Sequence, residues 1–134
     1  MMKKGYISNI EAETIANTDF RRVLYTGQFS QLVLMSLKPG EDIGEEIHEL
    51  DQFLRVEVGT GKAKLGAVEY PVSDGTAIVV PSGVTHNIIN TGSESLKLYT
   101  IYSPPEHLDG TIRATKEEAE APENEEHFDS VTTE

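Results

Sequence analysis

Between residues 20 and 103 short apolar runs alternate with clusters of turn formers. Residues 22–25, 31–37, 53–58, 63–70, 77–80, 85–90 and 96–102 are rich in Val, Ile, Leu, Tyr and Thr, the side chains that suit a pleated, half-buried surface. Between them stand Gly27, Pro39-Gly40, Gly59-Thr60-Gly61, Ser73-Asp74-Gly75, Pro81-Ser82-Gly83 and Thr91-Gly92-Ser93, each able to supply turn geometry. Seven or more strands at this spacing, with one weak helix at each end, predict an all-β protein built as a closed barrel or double-sheet jelly roll. Residues 31–37 are apolar on both faces: Leu32 and Leu34 point one way, Val33, Met35 and Leu37 the other. One face fills the barrel. The other needs cover, and a second copy of the chain is its simplest source, so a homodimer is expected.

Charge divides the chain. Of its 23 acidic residues, eight lie in residues 117–134, where there is no Lys or Arg. The reading is one barrel domain with an N-terminal lead-in, residues 1–114, and an acidic C-terminal tail, residues 115–134. The tail is predicted to form a short helix over residues 115–121 and then a mobile, solubilising end. A net charge of -12 with no basic patch argues against nucleic acid as a partner. The absence of cysteine removes disulfides, thiolate zinc sites and cysteine nucleophiles. No apolar run approaches a membrane span, and the start has no secretory pattern, so no membrane association and a cytoplasmic setting are expected.

The chemistry concentrates in two segments. If residues 46–48 are extended, Glu46 and His48 project to one side, and Gln52 keeps their parity as it enters the strand that continues inward with Leu54, Val56 and Val58. In the second segment His86, Ile88 and Asn90 share a face. In a small barrel His86 could meet Glu46, His48 and Gln52. Two imidazoles and a carboxylate suit a divalent first-row transition metal such as Zn, Fe, Mn or Ni, and the Gln52 carbonyl oxygen is a fourth donor. By parity alone an inward histidine is more often a hydrogen-bonded core residue, and that alternative stands at this point.

Spacing adds to parity. Gly75-x5-Pro81-x-Gly83-x2-His86-x3-Asn90 resembles the second cupin motif at every fixed position, and Gly40 to Gly59 resembles the first in both glycines and all spacings. Glu46 stands where that family usually has a histidine, and Gln52 where it usually has a glutamate. The segments Glu46-x-His48-x2-Asp51-Gln52-Phe53 and Tyr102-Ser103-Pro104-Pro105-Glu106-His107 resemble a group of small bacterial cupins labelled mannose-6-phosphate-isomerase-like. The resemblance implies a cupin jelly-roll barrel, a double-stranded β-helix of six or eight strands. It also implies one metal held by Glu46, His48, Gln52 and His86.

A centre with one carboxylate ligand keeps about one positive charge by ligand counting. It would favour a small polar or anionic oxygen ligand. The expected chemistry is isomerase-like, metal-assisted enolisation of a sugar or sugar phosphate. The alternatives are an Fe(II)-type cupin dioxygenase and a non-catalytic module binding a small ligand or metal. Among other residues, Asp51 could orient a ligand or lie on the rim, and Asn90 suits a turn. His107 and His127 read as surface residues. Arg113 and Lys116 read as partners of nearby acids, and Tyr99 and Tyr102 as core or interface residues.

Overall fold

A computed structural model describes residues 2–134. The chain enters through helix α1 (Ile10–Ala16), whose Asn9 side chain caps it by accepting from the Ala12 amide. Strands β1 (Arg21–Thr26), β2 (Gln31–Leu37), β3 (Asp51–Val58), β4 (Gly61–Leu65), β5 (Val68–Val72), β6 (Ala77–Val80), β7 (His86–Asn90), β8 (Leu96–Ser103) and β9 (Ile112–Arg113) follow. Helix α2 (Lys116–Glu120), capped by Thr115, and a single 3-10 turn (Pro122–Asn124) end the regular structure. The strands form two antiparallel sheets, ordered β6-β3-β8-β2-β1-β9 and β5-β4-β7.

The mostly-β fold with a short C-terminal helix follows the sequence expectation, with differences in detail. Residues 63–70, read as one strand, form a hairpin in which Leu65 pairs with Val68. The reason is Gly66, which takes φ +60° at the turn, a conformation few residues other than glycine reach without strain. Gly40, Gly59, Gly75 and Gly83 also have positive φ. Of these four Gly59 is the most confined, since a Cβ there would lie 2.9 Å from both the Leu96 Cα and the Ser95 carbonyl oxygen.

The core lies between the sheets. Alternate residues of β8 (Leu96, Leu98, Thr100 and Tyr102) are buried, facing Val33, Met35 and Leu37 from β2 and Leu54 and Val56 from β3. Across the interior, Ala63, Val72 and Ile88 close the core from the smaller sheet. The outer face of β2 is partly covered within the chain. Leu34 is only 1% exposed, and α1 lies against β8 and β3 with its C-terminal carbonyls at Ile15 and Asn17 accepting from the Lys97 ammonium. Cover of Leu34 therefore needs no second copy.

The sequence suggests a mobile acidic end, but in the structure the tail is tied to the barrel. The Phe128 amide donates to the Glu106 carbonyl, the Thr133 amide to the Thr26 carbonyl, and the Glu134 carboxylate accepts from the Lys4 and Gly5 amides and the Tyr25 hydroxyl. Few of these contacts are apolar, so hydropathy gave no sign of them. No helix among the described residues is long and apolar enough to cross a membrane.

Candidate metal centre

The segment before β3 lacks a regular strand because Gly40 and Gly44 turn it and Glu45 and Glu49 stay exposed. It still runs beside β7. Ile43 donates to the Ile88 carbonyl, and Glu46 and His86 exchange two backbone hydrogen bonds of 2.9 Å. That antiparallel bridge, not a shared strand, sets Glu46 opposite His86. Asn87 holds the approach in place: its Oδ1 accepts from the Gly44 amide while its Nδ2 donates to Asp42. Asp42, also paired with Lys116, is thereby held below the usual carboxylate range. The loop is thus fixed on the sheet by a residue that parity and motif spacing did not single out.

His48 is anchored by its carbonyl, which accepts from the Gly83 amide at the turn before β7. Asp51, offered as an orienting or rim acid, accepts from the Ser82 amide. It ties that turn to β3 and makes no contact with a ligand side chain. Gln52 enters β3 opposite Tyr102 and Val80, buried as parity predicted. Asn90 has the turn role expected: its amide reaches the Leu37 and Glu94 carbonyls, and its oxygen takes the Gly92 amide.

These elements bring the side chains together. One ligating atom from each of Glu46, His48 and His86 lies within 4.8 Å of the others. The His48 and His86 ring centroids are 5.3 Å apart, and the Gln52 Oε1 lies 3.1 Å from the His86 Nε2. The imidazoles are oriented from behind. The His86 Nδ1 donates to the Val84 carbonyl at 2.9 Å, leaving an Nε2 lone pair facing the cluster. The Thr100 hydroxyl takes the Gln52 amide N–H at 3.0 Å, so the Gln52 oxygen also faces His86. Two acceptors directed at each other repel unless a cation or proton lies between them. The His48 Nε2 is 2.6 Å from the Glu46 Oε2, yet it is enclosed and not aligned as a hydrogen-bond donor to any group. Four donor atoms thus converge without a satisfied arrangement of their own, which fits a bound cation. Glu106 stands 3.5 Å from the His48 Nδ1, where a carboxylate would steady a metal-bound ring.

The Glu46 carboxylate raises His48 above the ordinary imidazole value, opposed by burial and by the charge of Arg21, with Glu106 adding to the rise. A metal ion therefore competes with a proton for this ring. Glu46 and His48 line a cavity of about 610 Å³ with Arg21, Glu106, His107 and His127, while His86 and Gln52 lie behind them. Here the reading of His107 as a surface residue is corrected. Its Nε2 is enclosed without a partner, its ring stands edge-on to Tyr102 at 5.1 Å, and burial pushes it down to about 2. The reason is local: the Gln31 side chain accepts from the Glu106 and His107 amides and donates to the His107 carbonyl, folding residues 106 and 107 inward over the barrel end. His127 is exposed, 3.1 Å from Glu106. Tyr102 is a core residue whose hydroxyl burial holds well above its usual value, whereas Tyr99 lies on the outer face against Phe53. Arg113 and Lys116 pair with Glu126 and Asp42, as expected.

A mostly-β fold of two antiparallel sheets, with a His/His/Glu group gathered at one end of its interior, defines the class. The chain belongs to the cupin family, whose model, described as Cupin domain, matches residues 33–102. It is 49% identical over 128 residues to the uncharacterized protein YrkC of Bacillus subtilis, covering 90% of this chain and 69% of that one. It is 47% identical over 112 residues to the uncharacterized protein L612 of Acanthamoeba polyphaga mimivirus, covering 80% of this chain and 70% of that one. Among solved structures, BH2720 from Bacillus halodurans superposes with a TM-score of 0.85 at 49% identity, over 87% of this chain and 93% of that one. KdgF from Halomonas sp., at 21% identity and a TM-score of 0.57 over 62% of this chain and 76% of that one, shares the fold.

Proposed function

We propose that this cupin holds one divalent transition metal through Glu46, His48, Gln52 and His86, and uses it on a small oxygen-bearing ligand entering from the cavity. The observation that carries the reading is the unsatisfied convergence of donor atoms: a buried His48 Nε2 with no hydrogen bond, beside Glu46, and a His86 lone pair facing the Gln52 oxygen. When bound, a metal of this kind supplies Lewis-acid chemistry, polarising adjacent oxygens so that a neighbouring C–H becomes acidic. The protein's own part is to position and to move protons. Val84 and Thr100 aim the His86 and Gln52 donors. Glu106, with one oxygen toward the His48 Nδ1 and the other toward the His127 Nδ1, is a carboxylate between the buried cluster and an exposed imidazole. That chain suits proton exchange with solvent, and it favours enolisation over the other reactions considered.

The test is metal content followed by isotope exchange. Protein purified without chelator or nickel resin is expected to carry close to one equivalent of metal by elemental analysis. Incubated with dihydroxyacetone in D₂O, it should accelerate loss of the C–H proton NMR signal, and chelation should remove the acceleration. Oxygen uptake with no exchange would instead favour the dioxygenase.

The reading includes a homodimer. A row of apolar side chains crosses the outer face of the large sheet, Val79, Phe53, Ile101, Leu32 and Tyr25, in register from β6 to β1, and Val79 is 63% exposed. Sedimentation should give twice the chain mass, and Val79→Glu should shift it toward monomer. A monomeric parent protein would reject the dimer and leave the metal site untouched.

A further inference from the structure

Arg21 lies in the cavity wall with no carboxylate paired to its charge. It opens β1 on the face shared with buried Val23, and its guanidinium carbon is 5.5 Å from the Phe20 ring centroid. Its Nε is enclosed and donates to no acceptor. Among the described residues no carboxylate pairs with it, whereas the cavity's other arginine, Arg113, is paired with Glu126, and His127 with Glu106. It shares that wall with Glu46, His48 and His107, which sets it at the entrance to the donor cluster. An unpaired, half-buried guanidinium is unfavourable for folding. Its planar fork is matched to a carboxylate in two parallel hydrogen bonds.

The rest of the wall selects the kind of anion. Glu45, Glu49, Glu106, Glu120, Glu125 and Glu126 also line the cavity. That negative field opposes a phosphate dianion and leaves Arg21 to match one negative charge. We infer that Arg21 binds the carboxylate of a small 2-oxo or 2-hydroxy acid, whose neighbouring oxygen then faces Glu46, His48, Gln52 and His86. The inference rests on the metal reading above and narrows its ligand from small oxygen-bearing compounds to monocarboxylates.

The experiment uses cobalt(II), whose visible absorption reports its own binding and changes of its ligands. Cobalt-loaded protein, Arg21→Lys and Arg21→Met are titrated with lactate, inorganic phosphate and dihydroxyacetone. Lactate is expected to bind the parent protein more tightly than phosphate does. Its affinity should fall at least tenfold in both variants, Lys included because it lacks the fork, while dihydroxyacetone and cobalt bind all three proteins alike. The ligand-free Arg21→Met protein should melt no lower than the parent, since it loses an unpaired charge; a purely structural arginine would give a lower melting temperature. Cobalt bound with equal lactate affinity in the parent and Arg21→Met overturns the role of Arg21 alone. No binding of lactate to the cobalt-loaded parent, or phosphate tighter than lactate, overturns the carboxylate class. Failure of cobalt to bind the parent overturns the metal reading and this inference with it.

Discussion

His48→Ala and His86→Ala are each expected to abolish near-stoichiometric metal binding, with affinity falling by more than about a hundredfold, because even groups that merely orient ligands are worth roughly 10–100-fold. Removing either imidazole leaves a carboxylate, an amide oxygen and one ring, a poor set for a first-row transition metal. The loss is also readable as stability. Metal at a hundred times its dissociation constant stabilises the folded chain by about 2.7 kcal/mol, and that increment should vanish in both variants. Thr100→Val supplies a graded control. It nearly conserves volume but frees the Gln52 amide, which Thr100 holds by a 3.0 Å hydrogen bond, so affinity should fall about tenfold with metal still bound. Metal retained in both histidine variants would remove the site from consideration.

Acid is expected to destabilise this protein through His107. Burial pushes its folded-state value down to about 2, from an ordinary 6.5. Below pH 6.5 the unfolded chain takes up a proton that the folded chain refuses. The stability associated with neutral His107 is therefore complete above the unfolded value and is lost as pH falls toward the folded one. The slope approaches about 1.4 kcal/mol per pH unit. Urea denaturation between pH 7 and 4 should show that slope on top of the carboxylate contributions, and His107→Gln should flatten it. Equal slopes in the two proteins would mean that His107 is solvated or protonated when folded.

Much of the architecture was legible because strands of this kind advertise themselves. β2, β3 and β8 combine β-branched and aromatic residues with glycine punctuation, and their inward faces at Val33, Leu54 and Leu98 are buried as parity requires. The donor cluster was legible for a different reason. Fixed spacings between Gly40 and Gly59, and between Gly75 and Asn90, carry three-dimensional information that alternation lacks. Parity placed Gln52 and His86 inward, but Glu46 reaches them from an irregular segment held by two isolated bridges, Asp42 to Ile89 and Glu46 to His86.

What stayed hidden depends on polar contacts distant in sequence. Gln31 draws residues 106 and 107 inward across an interval of 75 residues or more, so His107 could not be placed from its proline-rich neighbourhood. Arg21 precedes an apolar strand and looks like an exposed flank until the barrel closes around it. The hairpin at Gly66 was missed because a lone glycine within an apolar stretch can mark a bulge as readily as a turn. The docked tail carries few apolar residues, and its attachment through Thr133 and Glu134 leaves no trace in composition.

The most direct measurement is anomalous X-ray scattering from crystals grown with zinc or manganese, collected at the absorption edge of the added metal. We expect one strong peak at bonding distance, about 2.0–2.2 Å for zinc to nitrogen or oxygen, from the His48 Nε2, the His86 Nε2, a Glu46 carboxylate oxygen and the Gln52 Oε1. A map with peaks only at surface carboxylates, and the two imidazoles hydrogen-bonded to protein or water in that metal-containing crystal, would contradict it.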